Sequence, residues 1–200
     1  MEDQTTTTSQ FDLLIVKDFF DAKTCGDLVH EMRRAPVNAA LTYGKGEAAV
    51  DETIRRARHV SPPAESVLYV TQRLAQQRPN LEKHFAIELG GFEEPQFLNY
   101  RVGDFFVAHQ DGNTGLINLE SDRRRRISIT IFLNTQSAEH HDGYTGGSLV
   151  LSDWRSGARE ELIGHAGMLV AFRSETTHEV TPVTQGERYA IVTWFGRRER

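Results

Sequence analysis

Residues 105–112 read FFVAHQDG, an aromatic, strand-like run that ends in a histidine two positions before an aspartate. Side chains at positions i and i+2 of a strand project from the same face. We therefore expect His109 and Asp111 to lie side by side, with Gly112 opening a turn behind them. Taken alone, such a pair also fits a hydrogen-bonded strand end, so its meaning depends on the rest of the chain.

The composition describes an ordinary globular chain. Its 200 residues are 38% hydrophobic and carry a net charge of −5, which favours one domain and gives no general attraction to nucleic acid. No apolar run approaches the roughly 18 residues of a membrane span. Residues 1–10, MEDQTTTTSQ, lack the features of a secretory signal and are predicted to be a disordered leader. The single cysteine, Cys25, predicts a reducing cytoplasm and excludes an internal disulfide framework.

The first half of the chain predicts helices. Phe11–Val16 is typical of a strand, and Asp21 is a suitable N-cap for a helix that runs to Arg34. A second helix is predicted to start at Ser61-Pro62-Pro63, with the serine as its cap, and to run to Arg78-Pro79. The glycine-containing stretch 41–52 predicts a mobile loop. Together with the residues up to 57 it could equally be a lid over a substrate or a plain surface loop.

The second half predicts a β core. Short β-rich runs are separated by turn residues, and seven closely spaced strands of this kind favour a jelly roll or a barrel. We predict one domain over residues 11–200, with 11–91 as helix-rich support and 92–196 as the core. The predicted strands are Gln96–Arg101, Asp104–His109, Arg126–Asn134, Gly147–Ser152, Gly167–Arg173, Thr177–Val183 and Arg188–Phe195.

A second histidine completes the pair at His109 and Asp111. His178 lies in the predicted strand that precedes Pro182 and the last strand of the chain. Two histidines and one carboxylate on one side of a β core make the facial ligand set of non-haem iron(II), which leaves the opposite positions of the ion open. A rival group, Glu139-His140-His141-Asp142, packs its candidate ligands into one loop and is better explained as a solvated loop.

Arg188 indicates a binding site for an anion. It shares a face of the last strand with Val192 and Trp194, so its guanidinium is predicted to turn into the core. A buried guanidinium is costly unless an anion meets it, and a carboxylate fits its geometry best. The alternative is an edge arginine paired with Glu187. The run Arg123–Arg126 is predicted to be a solvated loop, or a basic rim at the mouth of a site.

Together these residues resemble the 2-oxoglutarate and iron(II)-dependent oxygenases, in particular the prolyl 4-hydroxylase-like branch. The resemblance covers about half of the chain, and both the order and the spacing of the motifs match. It implies a mainly β fold with flanking helices, in which a double-stranded β-helix of the jelly-roll or cupin type is buttressed by N-terminal helices. The matching stretches are FLNYRVGDFFVAHQDG, RRRISITIFLN, YTGGSLVLS, GHAGMLVAF and THEVTPVTQGERYAIVTWF.

The resemblance also implies roles for single residues. His109, Asp111 and His178 would hold Fe(II), and Arg188 would bind the distal carboxylate of 2-oxoglutarate. The remaining cosubstrate pocket would be formed by Tyr100, through its hydroxyl, and by Thr130, Phe132 and Val192. Several relatives carry a tyrosine where this chain has Phe132, so anchoring of the cosubstrate would depend more on the other residues. Gly146-Gly147 would allow a strand to approach the site closely.

The activity implied by the resemblance is hydroxylation of an unactivated C–H bond. O₂ is consumed, 2-oxoglutarate is decarboxylated to succinate and CO₂, and ascorbate is a further candidate cofactor. The favoured substrate is a prolyl residue of a protein or peptide, and the alternative is a free amino acid or another small metabolite. A sensor that binds metal and 2-oxoglutarate without turnover is disfavoured because no ligand is missing. The acidic charge balance argues against nucleic acid, and the oligomeric state is left open.

Overall fold

The computed structural model of the chain describes residues 9–40, 42–44, 47–49, 51–112 and 120–198. Most of the predicted leader lies outside these ranges. Its described end is anchored, because the Ser9 hydroxyl donates to a carboxylate oxygen of Glu160 at 2.7 Å. Within the described part of the chain, no helix has both the length and the apolar character that crossing a bilayer requires.

Three helices and seventeen strands make up the described structure. The helices are α1 (Ala22–Arg34), α2 (Ala64–Phe85) and the single turn α3 (Glu120–Arg123). The first seven strands are β1 (Leu13–Val16), β2 (Val37–Ala39), β3 (Thr42–Gly44), β4 (Glu47–Ala49), β5 (Arg55–Arg56), β6 (Arg58–Val60) and β7 (Leu89–Phe92). The others are β8 (Gln96–Tyr100), β9 (Phe105–His109), β10 (Arg125–Phe132), β11 (Thr145–Gly146), β12 (Leu149–Asp153), β13 (Ala158–Leu162), β14 (Leu169–Arg173), β15 (Thr177–Val180), β16 (Val183–Gln185) and β17 (Arg188–Arg197).

Two antiparallel sheets form the body of the molecule. The larger has the order β1-β14-β10-β17-β8-β6-β2, with β7 also paired to β17, and the smaller has the order β13-β12-β15-β9-β5. Apolar side chains of both sheets meet between them, for example Phe132 and Val170 of the larger sheet with Leu149 and Leu151 of the smaller one. The two sheets therefore pack face to face around a shared interior, as the predicted jelly-roll type of core requires.

The two long helices cover the outer face of the larger sheet. The N-cap of α1 is Asp21, as predicted, and its carboxylate accepts from the Thr24 backbone N–H at 2.7 Å. Its buried stripe packs into the same cluster as Val70 and Leu74 of α2 and the isoleucines of β10. Because side chains alternate along β10, its isoleucines face these helices while Ser128, Thr130 and Phe132 face the interior between the sheets. The α1 stripe consists of Cys25, Leu28, Val29 and Met32.

The prediction for α2 was wrong at both ends. The N-cap is Pro63, no side chain caps the helix, and Pro79 lies inside a helix that continues to Phe85. Proline removes one backbone hydrogen bond and strains the preceding turn. The added turns bury Leu81 and Phe85 completely against the sheet, and this burial outweighs the loss.

The strand predictions need three corrections. The stretch 41–52 is not only a loop in its described part, because β3 and β4 pair antiparallel within it. Pro182 divides the predicted strand Thr177–Val183 into β15 and β16, since proline cannot donate to a ladder. Strands before residue 92 also join both sheets, so the β core does not begin there. All are four residues or shorter, and β5 and β6 contain arginine, which makes those two hard to recognise from the sequence pattern.

The turn between β12 and β13 presents the most exposed large apolar side chain in the described structure. Trp154 is 79% exposed, and the Arg155 guanidinium lies 5.1 Å from the centre of its ring. The other tryptophan, Trp194, is buried on the inner face of β17. The two indoles therefore occupy opposite environments.

Candidate metal centre and anion pocket

The structure brings His109, Asp111 and His178 together. His109 ends β9 and lies directly opposite His178 on β15, while Asp111 follows β9. One ligand atom of each residue lies within 4.8 Å of the other two. Nε2 of His109 is 3.5 Å from Oδ1 of Asp111, and Nε2 of His178 is 3.3 Å from Oδ2. Three candidate ligand atoms thus converge on one point.

A β-bulge shapes the wall beside His109. The paired positions are His178 with His109 and Val180 with Phe106, so β9 uses one more residue than β15. The extra residue turns Phe106 onto the face of His109, and their ring centres lie 3.6 Å apart at 19°. Strict alternation would have put these two rings on opposite faces, which is why the sequence did not reveal this contact.

Backbone carbonyls select the nitrogen that each imidazole presents. Nδ1 of His109 lies 2.8 Å from the Val107 carbonyl oxygen, and Nδ1 of His178 lies 3.0 Å from that of Thr176. A carbonyl only accepts, so Nδ1 of each ring donates and carries the proton. In the neutral ring Nε2 keeps its lone pair, and in both cases Nε2 faces Asp111. This is the tautomer that binds a metal through Nε2.

Asp111 is held by hydrogen bonds with Ser128, which the sequence predicts as a pocket residue, and with Ser174, which it does not predict. Its Oδ2 accepts from the Ser128 hydroxyl at 2.7 Å, and Ser128 lies 3.0 Å from the hydroxyl of Ser174. The backbone N–H groups of Asp111 and Gly112 donate to the Ser174 carbonyl. The carboxylate is therefore fixed both at its side chain and at its backbone.

The three groups shift one another's protonation. Burial alone would raise the pKa of Asp111, but the neighbouring imidazoles, His178 above all, hold it well below its usual range. Burial, together with the charge of His178, lowers the pKa of His109. Burial acts in the same direction on His178, yet the Asp111 carboxylate raises its pKa overall. The result is an ionised carboxylate between two imidazoles.

Arg125 corrects the prediction for the basic run. It is neither solvated nor on a rim, because only 7% of it is exposed. Its Nε and Nη2 donate to the two carboxylate oxygens of Glu93 at 2.5 and 2.7 Å, and its Nη1 donates to the Asp111 carbonyl at 3.3 Å. The guanidinium also lies 3.9 Å from the centre of the Trp194 ring. This arginine is buried because a carboxylate meets it in a bidentate pair.

Arg188 is a buried cation whose guanidinium lacks a hydrogen-bond acceptor at Nε within the described structure. It is 1% exposed, and its guanidinium carbon lies 4.9 Å from the Tyr100 ring centre and 5.1 Å from that of Phe132. Among the described residues, none accepts a hydrogen bond from its Nε. The edge pairing with Glu187 is not formed, since Glu187 contacts Arg101 and Tyr189 instead. A buried N–H with no partner indicates a place for an external acceptor.

The remaining predicted pocket residues lie between the triad and Arg188. Thr130 of β10 is directly opposite Val192 of β17. This pair lies between Ser128, which is near the triad, and Phe132, which is near Arg188. Along β10, Ser128 contacts Asp111 and Phe132 contacts Arg188, four residues and about 13 Å further. The inner faces of β10 and β17 thus connect the carboxylate and imidazole groups at one end with the guanidinium at the other.

Glycines make room around Arg188. A Cβ at Gly147, which has φ +61°, would lie 3.1 Å from Cδ of Arg188 and 2.9 Å from a methyl carbon of Val183. A Cβ at Gly164 would meet the Phe132 ring and come within 2.5 Å of the Tyr144 hydroxyl. Contacts of this kind join distant parts of the chain, and no local pattern at Gly164 could have indicated them.

The rival cluster of residues 139–142 does not form a metal site. Asp142 is 3.0 Å from the Arg33 guanidinium, and the His141 side chain is 98% exposed. In the described residues, His109, Asp111 and His178 are the only set of three or more such side chains close enough to share an ion. The interpretation as a solvated loop agrees with this arrangement.

The chain is similar to a known family of proteins. The model of the 2OG-Fe(II) oxygenase superfamily matches residues 95–196. A PKHD-type hydroxylase of Burkholderia thailandensis is 38% identical over 102 residues, which are 50% of this chain and 42% of that protein. The chain therefore spans less than half the length of this relative.

Solved structures extend the similarity to nearly the whole chain. A prolyl-4-hydroxylase of Pseudomonas putida superposes with a TM-score of 0.71 at 28% identity and covers 95% of each chain. A prolyl hydroxylase from Trichoplax adhaerens, solved with a peptide fragment of hypoxia inducible factor, gives a TM-score of 0.69 at 16% identity, over 94% of this chain and 84% of that one. The likeness to these structures confirms the predicted fold, a double-stranded β-helix with helices against one outer face.

The family model covers just over half of the chain and includes all the predicted ligands and pocket residues, from Tyr100 to Val192. The chain belongs to the 2OG-Fe(II) oxygenase superfamily.

Proposed function

We propose that the protein is an Fe(II)- and 2-oxoglutarate-dependent dioxygenase that hydroxylates an unactivated C–H bond. The observation that carries this proposal is that the inner faces of β10 and β17 link three convergent ligand residues with a buried, incompletely paired Arg188. His109, Asp111 and His178 would hold the iron. Arg188 would bind the distal carboxylate of 2-oxoglutarate, with Tyr100, Thr130, Phe132 and Val192 lining the pocket.

The donor set fits Fe(II). Two Nε2 lone pairs and one ionised carboxylate are the ligands of the facial triad, and the backbone carbonyls at Nδ1 orient both rings. When bound, the iron supplies the activation of O₂ that is coupled to decarboxylation of 2-oxoglutarate to succinate and CO₂. The protein orients the cosubstrate through Arg188 and walls off the site with Phe106 and Phe172. Ascorbate is the proposed reductant that keeps the iron ferrous.

We infer that the primary substrate is a prolyl residue of a protein or peptide. The support is the Pseudomonas putida prolyl-4-hydroxylase, which is similar over nearly the whole chain, and the PKHD-type hydroxylases, which are similar over the core. The competing substrate class is a free amino acid or a small metabolite. The single cysteine supports a reducing cytoplasm as the compartment in which the protein works.

We further propose that residues 41–57 cover the substrate. The end of this segment forms β5, which pairs with the strand that carries His109. The Arg55 guanidinium lies 4.8 Å from the centre of the Phe106 ring, and Phe106 stacks on His109. A cavity of about 240 Å³ adjoins this contact and is lined by residues 37–40, 52, 55–58 and 104. In this proposal residues 11–200 act as one domain, in which the N-terminal part shapes the mouth of the site.

Succinate formation from 2-oxoglutarate, with Fe(II) loaded anaerobically before O₂ is admitted, tests the function. We expect turnover in the wild type and a loss of at least 100-fold in His109→Ala and Arg188→Ala, because the first lacks a metal ligand and the second lacks the partner of the cosubstrate. Arg155→Ala, at an exposed turn far from the triad in sequence, is the matched control and should turn over normally.

The substrate is tested in the same assay. Stimulation of succinate formation by proline-containing peptides, with hydroxyproline detected by mass spectrometry, would support a prolyl substrate. Stimulation by free amino acids alone would favour the metabolite alternative. Tight binding of Fe(II) and 2-oxoglutarate with no turnover under any of these conditions would refute the enzymatic proposal in favour of a sensor.

A further inference from the structure

The pocket around Arg188 contains a second buried polar group to which the proposed function gives no role. Tyr144 lies just before β11 and is 1% exposed. Its hydroxyl, like Nε of Arg188, donates to no described residue, and the hydrogen-bonding group that acts on this hydroxyl is the Arg188 guanidinium itself. Buried hydroxyls and guanidinium N–H groups nearly always have a hydrogen-bond acceptor, because burying a donor without one is costly. Two buried donors without an acceptor in one pocket therefore require a shared explanation.

Three contacts place Tyr144 beside Arg188. A Cβ built at Gly147 would lie 3.1 Å from Cδ of Arg188 and 3.3 Å from Cε2 of Tyr144, so both side chains border the same point. A Cβ built at Gly164 would lie 2.5 Å from the Tyr144 hydroxyl and would also meet the Phe132 ring. Phe132 in turn faces the Arg188 guanidinium. The hydroxyl thus reaches the edge of the ring that forms one wall of the Arg188 pocket.

The protonation state of Tyr144 makes it a donor. Burial raises the pKa of its hydroxyl, and the nearby Arg188 guanidinium only partly opposes this rise. The hydroxyl therefore keeps its proton at neutral pH. The pocket then offers a phenolic O–H and a guanidinium N–H, while the Phe132 wall offers no polar atom. A carboxylate, with two acceptor oxygens, can satisfy both donors at once.

We propose that the Tyr144 hydroxyl donates a hydrogen bond to the carboxylate bound by Arg188, which under the proposed function is the distal carboxylate of 2-oxoglutarate. Tyr144 is then a cosubstrate-binding residue that supplies the hydroxyl absent from Phe132. Gly164 is required because any side chain there would occupy the position of this hydroxyl.

The test compares two ligands that differ only at the distal group. Binding of 2-oxoglutarate and of 2-oxopentanoate, which has a methyl group in place of the distal carboxylate, is measured calorimetrically on the Mn(II)-loaded protein. A hydrogen bond to a charged acceptor contributes enough that Tyr144→Phe should raise the Kd for 2-oxoglutarate about 10- to 100-fold. The Kd for 2-oxopentanoate should change less than about threefold, since that ligand lacks the acceptor. The ratio of the Kd for 2-oxopentanoate to the Kd for 2-oxoglutarate should therefore be smaller in Tyr144→Phe than in the wild type.

Tyr189→Phe is the matched control. Tyr189 follows Arg188 in β17, but its side chain packs in the cluster on the outer face of the larger sheet and its hydroxyl bonds Glu187. Removing this hydroxyl should therefore leave the affinities for both ligands unchanged. Gly164→Ala is the second variant, which should displace the Tyr144 hydroxyl and cause the same selective loss if Tyr144→Phe does not fold.

Equal affinities of wild type and Tyr144→Phe for 2-oxoglutarate, or equal losses for both ligands, would overturn the role of Tyr144 and leave the proposed function intact. A wild-type protein that binds neither ligand would overturn both.

Discussion

At the scale of single residues, the candidate metal centre depends on side chains that do not touch the metal themselves. Each imidazole is held by a carbonyl only two residues before it in the chain, so the local backbone next to each histidine sets its tautomer. Asp111 is different, because its oxygens are oriented from another strand by Ser128. The ligand that carries the charge is thus the one whose orientation depends on tertiary structure.

Removing this orientation should weaken the metal site. In Ser128→Ala the buried Oδ2 of Asp111 loses its donor, and we expect metal affinity to fall about 10- to 100-fold, the usual effect of losing a group that supports a ligand. Calorimetric titration of Mn(II) at neutral pH measures this. Ser156→Ala, which removes a hydroxyl that bonds Asp153 in the exposed turn after β12, is the control. Unchanged affinity in Ser128→Ala would show that the backbone alone positions Asp111.

At the scale of secondary-structure elements, α1 shows how a helix secures the sheet beneath the site. Its four buried side chains recur at helical spacing and pack on the outer face of the larger sheet. Cys25 belongs to this stripe and is 2% exposed. The thiol therefore serves as a small apolar side chain and is closed to solvent.

Burial raises the pKa of Cys25 to about 11, compared with an ordinary value of 9.0. We expect the native protein to resist thiol reagents such as DTNB at pH 8 and to react once it is unfolded. The unfolded thiol ionises at a lower pH than the folded one, so the free energy of unfolding is unaffected below about pH 9. It should fall by about 2–3 kcal/mol as the pH rises from 9 to 11. Cys25→Ser would separate this loss from that of other groups, and rapid native labelling would contradict the packing.

At the scale of the whole molecule, Arg125 connects the two sheets beside the candidate metal centre. It starts β10 of the larger sheet, and it binds the carbonyl of Asp111, which follows β9 of the smaller sheet. Glu93, its carboxylate partner, accepts at its own carbonyl from the Thr193 hydroxyl of β17. One guanidinium thus connects three separate segments of the chain.

Arg125→Ala should destabilise the entire fold. It removes the stacking on Trp194 and leaves Glu93 and Asp122 without their shared cation, and we expect the free energy of unfolding to fall by about 2–4 kcal/mol. Urea denaturation followed by circular dichroism measures it. Arg155→Ala, at an exposed surface, should change the value by less than about 0.5 kcal/mol. Equal stabilities of the two variants would show that Arg125 is dispensable.

The sequence predicted the parts of the molecule that follow from local periodicity. The spacing of His109 and Asp111, the inward register of Arg188 and the stripe of α1 all depend on residues that are neighbours along the chain. Tyr144 and Gly164 could not be assigned, because their meaning comes from a contact with each other and with Phe132 across the core. Phe106 was missed because a bulge reversed its face, and β5 because two arginines do not resemble a strand.

The contrast between the two tryptophans gives the molecule a built-in optical reporter. Trp194 lies opposite Ser128, which bonds Asp111, whereas Trp154 faces water. In a Trp154→Phe protein the emission would come from the indole beside the site alone. It would be shifted to the blue, and it would be quenched by a paramagnetic ion held by His109, Asp111 and His178. Occupancy of the site could then be followed by fluorescence, without a label and without turnover.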